Sequence, residues 1–279
     1  MKKIVLLLVC NFLTAIGFAQ PYLEKPDTAR SKQAISIGPN TLDFKIERGK
    51  SGKQIIRVVN NKPRLYKFTF FARDWDIDSM GKSIHFDSAG KEPFSCAKWV
   101  TFDNPYVEVD AGQTKEVIVT MNVPDSAEAT AEMKWCAIVA QMGGEYLPPK
   151  QHGEATAVLK RNINVIMHAY QTPPSLNHKE LRMTDFLYDE KERKFIVKSE
   201  NVGNTSIRCM YTLELSSLDN GKKIEIDPVE KVLVLPGHKR IVEFKLPENV
   251  EKGKYVAVST IDAQDDEVPL EAAQKEVQL

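Results

Sequence analysis

Carboxylates, imidazoles and thiols are the side chains of this sequence that could do chemistry. The run Asp74-Trp-Asp-Ile-Asp78 places three carboxylates at alternate positions, as a calcium-binding loop begins. That loop requires glycine at its sixth position and glutamate at its twelfth, where this chain has Ser79 and His85. We therefore predict a strand that runs into a polar turn, with a calcium site as the minor alternative. For the acidic run 262–267 we predict a solvated turn before the final strand, again with a calcium site as the minor alternative.

The sequence contains no recognised catalytic signature. It has no His-Glu-x-x-His pair, no Gly-x-Ser-x-Gly elbow, no Walker A loop and no dinucleotide-binding glycine pattern. Its five histidines are scattered, and none is paired with another at metal-ligand spacing. We therefore predict that the protein is not an enzyme and holds neither a metal nor a cofactor.

Three tryptophans could instead stack on sugars, as aromatic platforms do. Trp75, Trp99 and Trp135 all lie inside or beside apolar runs, which favours core positions in a β-sandwich. Trp75 lies next to the predicted polar turn, so it is the candidate glycan contact.

The N-terminus has the features of an export signal. Residues 1–19 combine Lys2 and Lys3, an apolar core over residues 4–13, and a small-residue cleavage site ending at Ala19. That core is too short to span a bilayer, so we expect a linker over residues 20–33 and no membrane span after cleavage. The ending Phe-Ala-Gln resembles signal peptides of certain Gram-negative bacteria, which implies the periplasm or the cell surface.

The composition and the cysteines place bounds on the mature protein. The chain has 279 residues and zero formal net charge, so there is room for two domains and no charge signature of nucleic-acid binding. Export would permit disulfides. Cys96 and Cys136 fall in the same predicted domain and could form one, with buried free thiols as the equal alternative, while Cys209 falls in the other.

Short β-branched and aromatic runs recur along the mature chain, separated by Gly, Pro, Asn and Asp. The two halves share a pattern: residues 107–112 and 232–237 each end at a glycine turn and precede a strand that ends at proline. About seven or eight such strands in each half is the count of an immunoglobulin-like sandwich. We predict an all-β protein of two such domains, residues 34–172 and 173–279, joined by a proline-containing elbow.

One long alternating strand is predicted over residues 155–170. Its apolar face carries Leu159, Ile163, Val165 and Met167, interrupted by Arg161. A strand that closes a domain in this way could lend its apolar side to another chain. The alternative is an interior strand with both edges paired, because exposed apolar edges are usually covered.

The order of these elements, ending in Tyr170-Gln-Thr-Pro173, resembles periplasmic pilus chaperones of the PapD type over residues 34–172, and more loosely beyond. The resemblance implies that the long strand donates alternating side chains to an incomplete subunit, here from Leu159, Ile163, Val165 and Met167. The family also anchors the subunit's carboxylate with an arginine and a lysine. Asn164 stands at the lysine position here and no arginine occurs in residues 36–42, so Arg161 and Lys160 are the candidate substitutes.

The first half also resembles cell-surface WxL-interacting proteins, which are paired immunoglobulin-like modules of Gram-positive envelopes. The residues that carry this likeness are Ile37-Gly-Pro-Asn-Thr-Leu-Asp-Phe44, Gly49, Ile56-Arg-Val-Val-Asn-Asn61 and Phe70-Phe-Ala-Arg-Asp-Trp-Asp-Ile-Asp78. Both resemblances imply protein-binding sandwich modules of the envelope.

Four Asp-Ser/Thr-aliphatic tripeptides resemble the acceptor sequence of a bacterial O-glycosylation system. Their candidate acceptors are Thr28, Ser79, Ser88 and Ser126, with a chance match as the alternative. All four lie in predicted loops or termini, where a glycan could be carried.

Taken together, these patterns predict a non-enzymatic binding protein of the periplasm or cell surface. It would act as a chaperone or scaffold for another envelope protein, either a pilus-type subunit or an outer-membrane component, through an edge strand. The alternative is a surface adhesin or glycan-binding module. Nucleic acid is not an expected partner.

Overall fold

The computed structural model describes residues 34–146, 150–152, 155–157 and 160–279, with side chains over 34–143 and 162–279. The predicted signal peptide and linker lie outside these residues. The regular secondary structure of the described chain consists of β-strands and one 3-10 turn, Ala97–Trp99. No helix there is long and apolar enough to cross a bilayer. The all-β prediction is confirmed.

The first domain is a sandwich of two sheets with two added hairpins. One sheet has the order β1-β3-β9-β7, the other has β2-β13-β10-β4-β8, and β5-β6 and β11-β12 form the hairpins. The strands are β1 Ile35–Gly38, β2 Thr41–Phe44, β3 Ser51–Asn60, β4 Tyr66–Arg73, β5 Trp75–Ile77, β6 Ser83–His85, β7 Val100–Phe102, β8 Tyr106–Val109, β9 Thr114–Asn122, β10 Lys134–Tyr146, β11 Lys150–His152, β12 Ala155–Ala157 and β13 Lys160–Gln171.

The second domain is a smaller sandwich of sheets β14-β15-β18 and β17-β16-β19-β20. Its strands are β14 Leu181–Asp189, β15 Lys194–Asn201, β16 Ile207–Ser217, β17 Lys223–Val234, β18 Lys239–Lys245, β19 Lys254–Asp262 and β20 Glu271–Gln278. The prediction of two sandwich domains is therefore confirmed, whereas the exact boundary at Pro173 stays a prediction.

Each domain has its own apolar core, built by alternation along the strands. In β16, every second residue from Ile207 to Leu215 is buried between the sheets. Successive side chains of a strand point to opposite faces, so this period of two places one face inside. The first core gathers residues between Leu42 and Ala169, and the second gathers residues between Leu181 and Val268.

The predicted single strand over residues 155–170 is wrong in its first part. Ala155–Ala157 turns back and pairs with Lys150–His152 as a separate hairpin, and β13 begins only at Lys160. A long alternating pattern cannot reveal such a break, because both pieces keep a period of two. Leu159 lies outside the described residues.

Candidate functional site

The two edges of β13 are paired to very different extents. On one side β13 pairs with β10 along its length, from Gln171 opposite Lys134 to Lys160 opposite Tyr146. On the other side it pairs only with β2, in parallel, from His168 to Gln171. No other strand of the described chain pairs with that second edge. Over residues 160–167 this edge is therefore open with respect to the described part of the chain.

The short reach of β2 follows from the path of the first strands. β1 pairs with β3 in the opposite sheet, and the chain then crosses at a cis Gly38-Pro39 bond into β2. The contact with β13 begins where the His168 N–H donates to the Asn40 carbonyl at 2.9 Å. Four residues of β2 cannot cover a strand of twelve.

The apolar face of β13 passes from the core to solvent along this open part. Met167 is fully buried, Val165 packs partly against the first core, and Ile163 is 42% exposed. On β10 they lie opposite Ile138, Ala140 and Met142. The structure thus brings three of the five predicted partner-binding residues together on one face. Arg161 lies in the same strand, and its side chain is not among those described.

The opposite face of β13 is covered by Trp75. The Trp75 and His168 rings are stacked with centroids 3.9 Å apart, and Tyr170 meets Trp75 edge-on at 6.4 Å. Burial lowers the pKa of His168 to about 4. Trp75 is only 1% exposed, so the expectation of a glycan contact at this residue is wrong. Ile77 of the same hairpin and Phe94 pack against the cluster that contains this ring.

Trp75 also belongs to a third apolar cluster, which joins the two domains. Met133, Trp135, Ala137 and Tyr170 complete the first domain's part of this cluster, and Leu235 inserts from the second domain with no exposed area. The predicted elbow is thus supported by buried apolar contact as well as by proline. No local pattern in the sequence indicates this interface, because its residues are far apart along the chain.

Polar contacts add to the domain interface. His238 Nε2 lies 2.8 Å from Asp76 Oδ1, and His238 Nδ1 lies 3.0 Å from the Pro236 carbonyl oxygen. Both partners can only accept, so the doubly protonated imidazolium is the form that satisfies both. The Asp76 hydrogen bond is the main cause that raises the pKa of His238. The Ile241 N–H also donates to the Ser79 carbonyl at 2.7 Å.

The three carboxylates of the run 74–78 have separate partners. Asp74 is buried and accepts hydrogen bonds from the Ser88 and Ser95 hydroxyls and the Gly90 N–H. Burial alone would raise the pKa of Asp74, but these bonds outweigh it and lower the pKa. Asp76 faces the second domain, and Asp78 accepts from the N–H groups of its own turn. This agrees with the predicted strand and polar turn.

In the acidic run 262–267, Asp265 and Glu267 bind a lysine of the same domain. Lys179 Nζ lies 2.6 Å from Asp265 Oδ2 and 3.2 Å from Glu267 Oε2. The predicted solvated turn is therefore held to the start of the second domain by these two ion pairs.

All three cysteines of the mature chain are buried free thiols in the structure. No disulfide joins Cys96 to Cys136, and the neighbouring Cys96 thiol, together with burial, raises the pKa of Cys136. Cys209 lies in the second core, 3.6 Å from the Val232 carbonyl oxygen.

The candidate glycan acceptors are not freely projecting side chains. Ser79, Ser88 and Ser126 are each half-buried, and the Ser88 hydroxyl donates to Asp74 Oδ2 at 3.0 Å. Thr28 lies outside the described residues. O-glycosylation stays a prediction.

No protein-family model matches the chain, and a search of curated proteins gives no match. Among solved structures, the chain is similar to a protein of the chaperone–tip adhesin complex of CFA/I fimbriae, with 13% identity, a TM-score of 0.46, and coverage of 87% of this chain and 98% of that one. It is also similar to the Escherichia coli chaperone DraB, with 14% identity, a TM-score of 0.42, and coverage of 88% and 98%.

A third similar structure is the Pseudomonas aeruginosa CupB2 chaperone, with 10% identity, a TM-score of 0.43, and coverage of 88% of this chain and 100% of that one.

Proposed function

We propose that this protein binds an extended segment of another envelope protein, which adds as a strand along the open edge of β13. The observation that carries the proposal is that β2 ends its pairing at His168, which leaves residues 160–167 paired on one side only. An open strand edge offers N–H and C=O groups to an incoming strand, and such main-chain bonds supply much of the affinity in strand addition.

The side chains of this edge provide the specificity. Met167 and Val165 already belong to the core, and Ile163 continues their row into solvent. A partner strand with apolar residues at alternate positions would cover Ile163 and extend the core of the sandwich. Because Ile163 is 42% exposed, burying the rest of its side chain contributes about 1 kcal/mol, in addition to the ladder bonds.

Another edge of the protein is protected in a way that this one is not. β17 lies at the edge of its sheet and carries Asp227, Pro228 and Glu230. Proline cannot donate to a ladder, and charges disfavour pairing with a second strand. The open part of β13 contains no proline, and its two charged residues, Lys160 and Arg161, lie together at its start.

The partner is a second envelope protein, a pilus-type subunit or an outer-membrane component, and the protein acts on it without catalysis. Its site of action is the periplasm or surface of a Gram-negative bacterium, reached through the cleaved signal peptide. The adhesin alternative loses its candidate contact, since Trp75 is enclosed.

The test uses a photo-crosslinking amino acid in place of Ile163, with Ile55 as the matched control. Both are aliphatic strand residues of the first domain, 42% and 41% exposed, but Ile55 lies on β3 in the other sheet. Crosslinking in the native cell should give one discrete protein adduct at position 163 and none at position 55, identified by mass spectrometry. Equal adducts at both positions, or none at 163, would refute the proposal.

A paired substitution separates binding from folding. Ile163→Asp should abolish the adduct formed from a crosslinker at Asn162 while lowering the free energy of unfolding by no more than about 1 kcal/mol, because the side chain is 42% exposed. Ile55→Asp should leave the adduct intact. A large loss of stability on Ile163→Asp would mean that the strand is structural.

A further inference from the structure

We infer that Cys96 and Cys136 are a disulfide-forming pair, oxidised as the exported chain folds. The segment before the 3-10 turn runs parallel to the start of β10, with Ser95 bridged to Trp135. The Trp135 N–H donates to the Phe94 carbonyl at 3.0 Å, and the Cys96 N–H donates to the Trp135 carbonyl at 3.3 Å. The next pair in this register is Cys96 beside Cys136.

The register gives the pair the geometry that a disulfide needs. Neighbouring paired strands lie about 5 Å apart, and disulfides span Cα separations of roughly 4.4–6.8 Å. Both side chains belong to the first core and are fully buried, and the neighbouring Cys96 thiol raises the pKa of Cys136. The bridge beside the pair thus brings the two backbones to a separation that a disulfide can span.

The oxidation is a thiol–disulfide exchange with an external disulfide. One cysteine thiolate attacks a sulfur of that disulfide, which forms a mixed disulfide and releases one thiolate of the oxidant. The second cysteine, as its thiolate, then attacks the cysteine sulfur of the mixed disulfide and releases the oxidant's other thiolate. The two thiols lose two protons and two electrons, and the electrons reduce the oxidant to two thiols.

Burial sets the time at which this exchange can occur. Exchange needs a thiolate that the oxidant can reach, and both thiols are fully enclosed in the folded domain. Oxidation therefore precedes closure of the core, and the finished bond is shielded from reductants. Cys209 lies in the other core, and no second cysteine of the described chain is there, so it stays a thiol.

The test refolds the reduced, unfolded chain with oxidised glutathione as the probe. Alkylation in denaturant should then label Cys209 only, and the intact mass should be lower than that of the reduced protein by two hydrogens. Closing a loop of about 40 residues should raise the Tm of the oxidised protein by about 10 °C, reversibly with dithiothreitol. Cys209→Ser should keep this difference, and Cys96→Ala should remove it.

Three labelled thiols after refolding, or stable glutathione adducts on Cys96 and Cys136, would overturn the inference. If Cys96→Ala fails to fold, the thiol labelling and the intact mass of the refolded wild-type protein still test the inference. Oxidised glutathione added to the folded, reduced protein should leave all three thiols intact for hours, and rapid oxidation there would refute the order of events.

Discussion

His168 is a histidine that the fold keeps neutral. Its ring is stacked on Trp75, and its Nε2 is buried without a hydrogen-bond partner among the described residues. Burial, with smaller contributions from the positive charge of His85 and Arg208, lowers the pKa of His168 to about 4. Protonation would place a desolvated charge against apolar rings, so the folded state resists it.

This histidine should make the protein sensitive to acid. Its folded pKa lies below the unfolded value of about 6.5, so the unfolded chain binds the proton more tightly and stability falls as the pH drops from 6.5 towards 4. From pH 7 to pH 5 the loss attributable to His168 is about 2 kcal/mol. Urea unfolding at both pH values should show this loss in the wild type and a smaller one in His168→Phe, whose ring can still stack. Equal losses would contradict the assignment.

At the scale of elements, the same strand–turn–strand unit occurs in both domains. Asn60 ends β3 and donates to the Val109 carbonyl, and Asn201 ends β15 and donates to the Val234 carbonyl. The main-chain carbonyl of Asn60 accepts a hydrogen bond from the Gly112 N–H, and that of Asn201 accepts one from the Gly237 N–H. Both glycines have a φ of +71°, which favours residues without a Cβ. The internal similarity seen in the sequence is thus a shared hydrogen-bonded turn.

Loss of either asparagine should therefore destabilise its domain. Asn60→Ala leaves the carbonyls of Arg64, Val109 and Asp110 without this donor, and we expect a cost of about 3 kcal/mol in the free energy of unfolding. Asn201→Ala should cost about 2 kcal/mol, since it frees two carbonyls.

Two further variants control this measurement. Asn162→Ala, at an exposed strand position, should change the free energy of unfolding by less than about 0.5 kcal/mol. Asn60→Asp keeps the shape but removes the donors, so it should cost at least as much as Asn60→Ala. A cost below about 1 kcal/mol for both asparagine-to-alanine variants would show that the turns hold without them.

At the scale of the whole molecule, the two domains are joined by a buried contact. Leu235 packs among Trp75, Trp135 and Tyr170, and the His238–Asp76 pair lies at the side of this cluster. Arg240 packs on Gly81, where any Cβ would meet its guanidinium. The orientation of the β13 edge relative to the second domain is therefore set by packing as well as by the linker.

The His238–Asp76 pair should couple the domains in a pH-dependent way. The folded pKa of His238 is raised above its unfolded value, so its contribution is complete below about pH 6.5 and is lost as the pH rises through the folded pKa. We expect a coupling of about 1 kcal/mol from a double-mutant cycle of Asp76→Asn and His238→Asn at pH 6, and less at pH 9.

The cycle is best measured in the His168→Phe background, because His168 responds to pH with the opposite sign. The exposed His178–Glu180 pair is the control, with a coupling near zero expected after solvent screening. Asp78 and Arg240 are other charged residues beside the His238–Asp76 pair, and the Arg240 guanidinium lies 3.5 Å from the Asp78 carbonyl oxygen. A coupling energy that is unchanged at pH 9 would contradict the conclusion that His238 is protonated in this pair.

Much of the fold could be predicted from the sequence, and less of the site. Glycine and proline between alternating runs indicated the strands, and the repeated block around Gly112 and Gly237 indicated two similar domains. The alternation of Ile163, Val165 and Met167 placed them on one face. The break before Lys160 and the enclosure of Trp75 could not be predicted, because both depend on how separate hairpins fold back.

The sequence by itself determined that the chain is all-β, that it has two sandwich domains, and which side chains share a strand face. These properties depend on side-chain period and turn chemistry, which act over a few residues. Only the tertiary structure decided that β2 pairs with just the last four of the twelve residues of β13, that Cys96 lies beside Cys136, and that His238 reaches Asp76 across 162 positions. Those contacts exist only after distant segments have packed, and no local pattern in the chain encodes them.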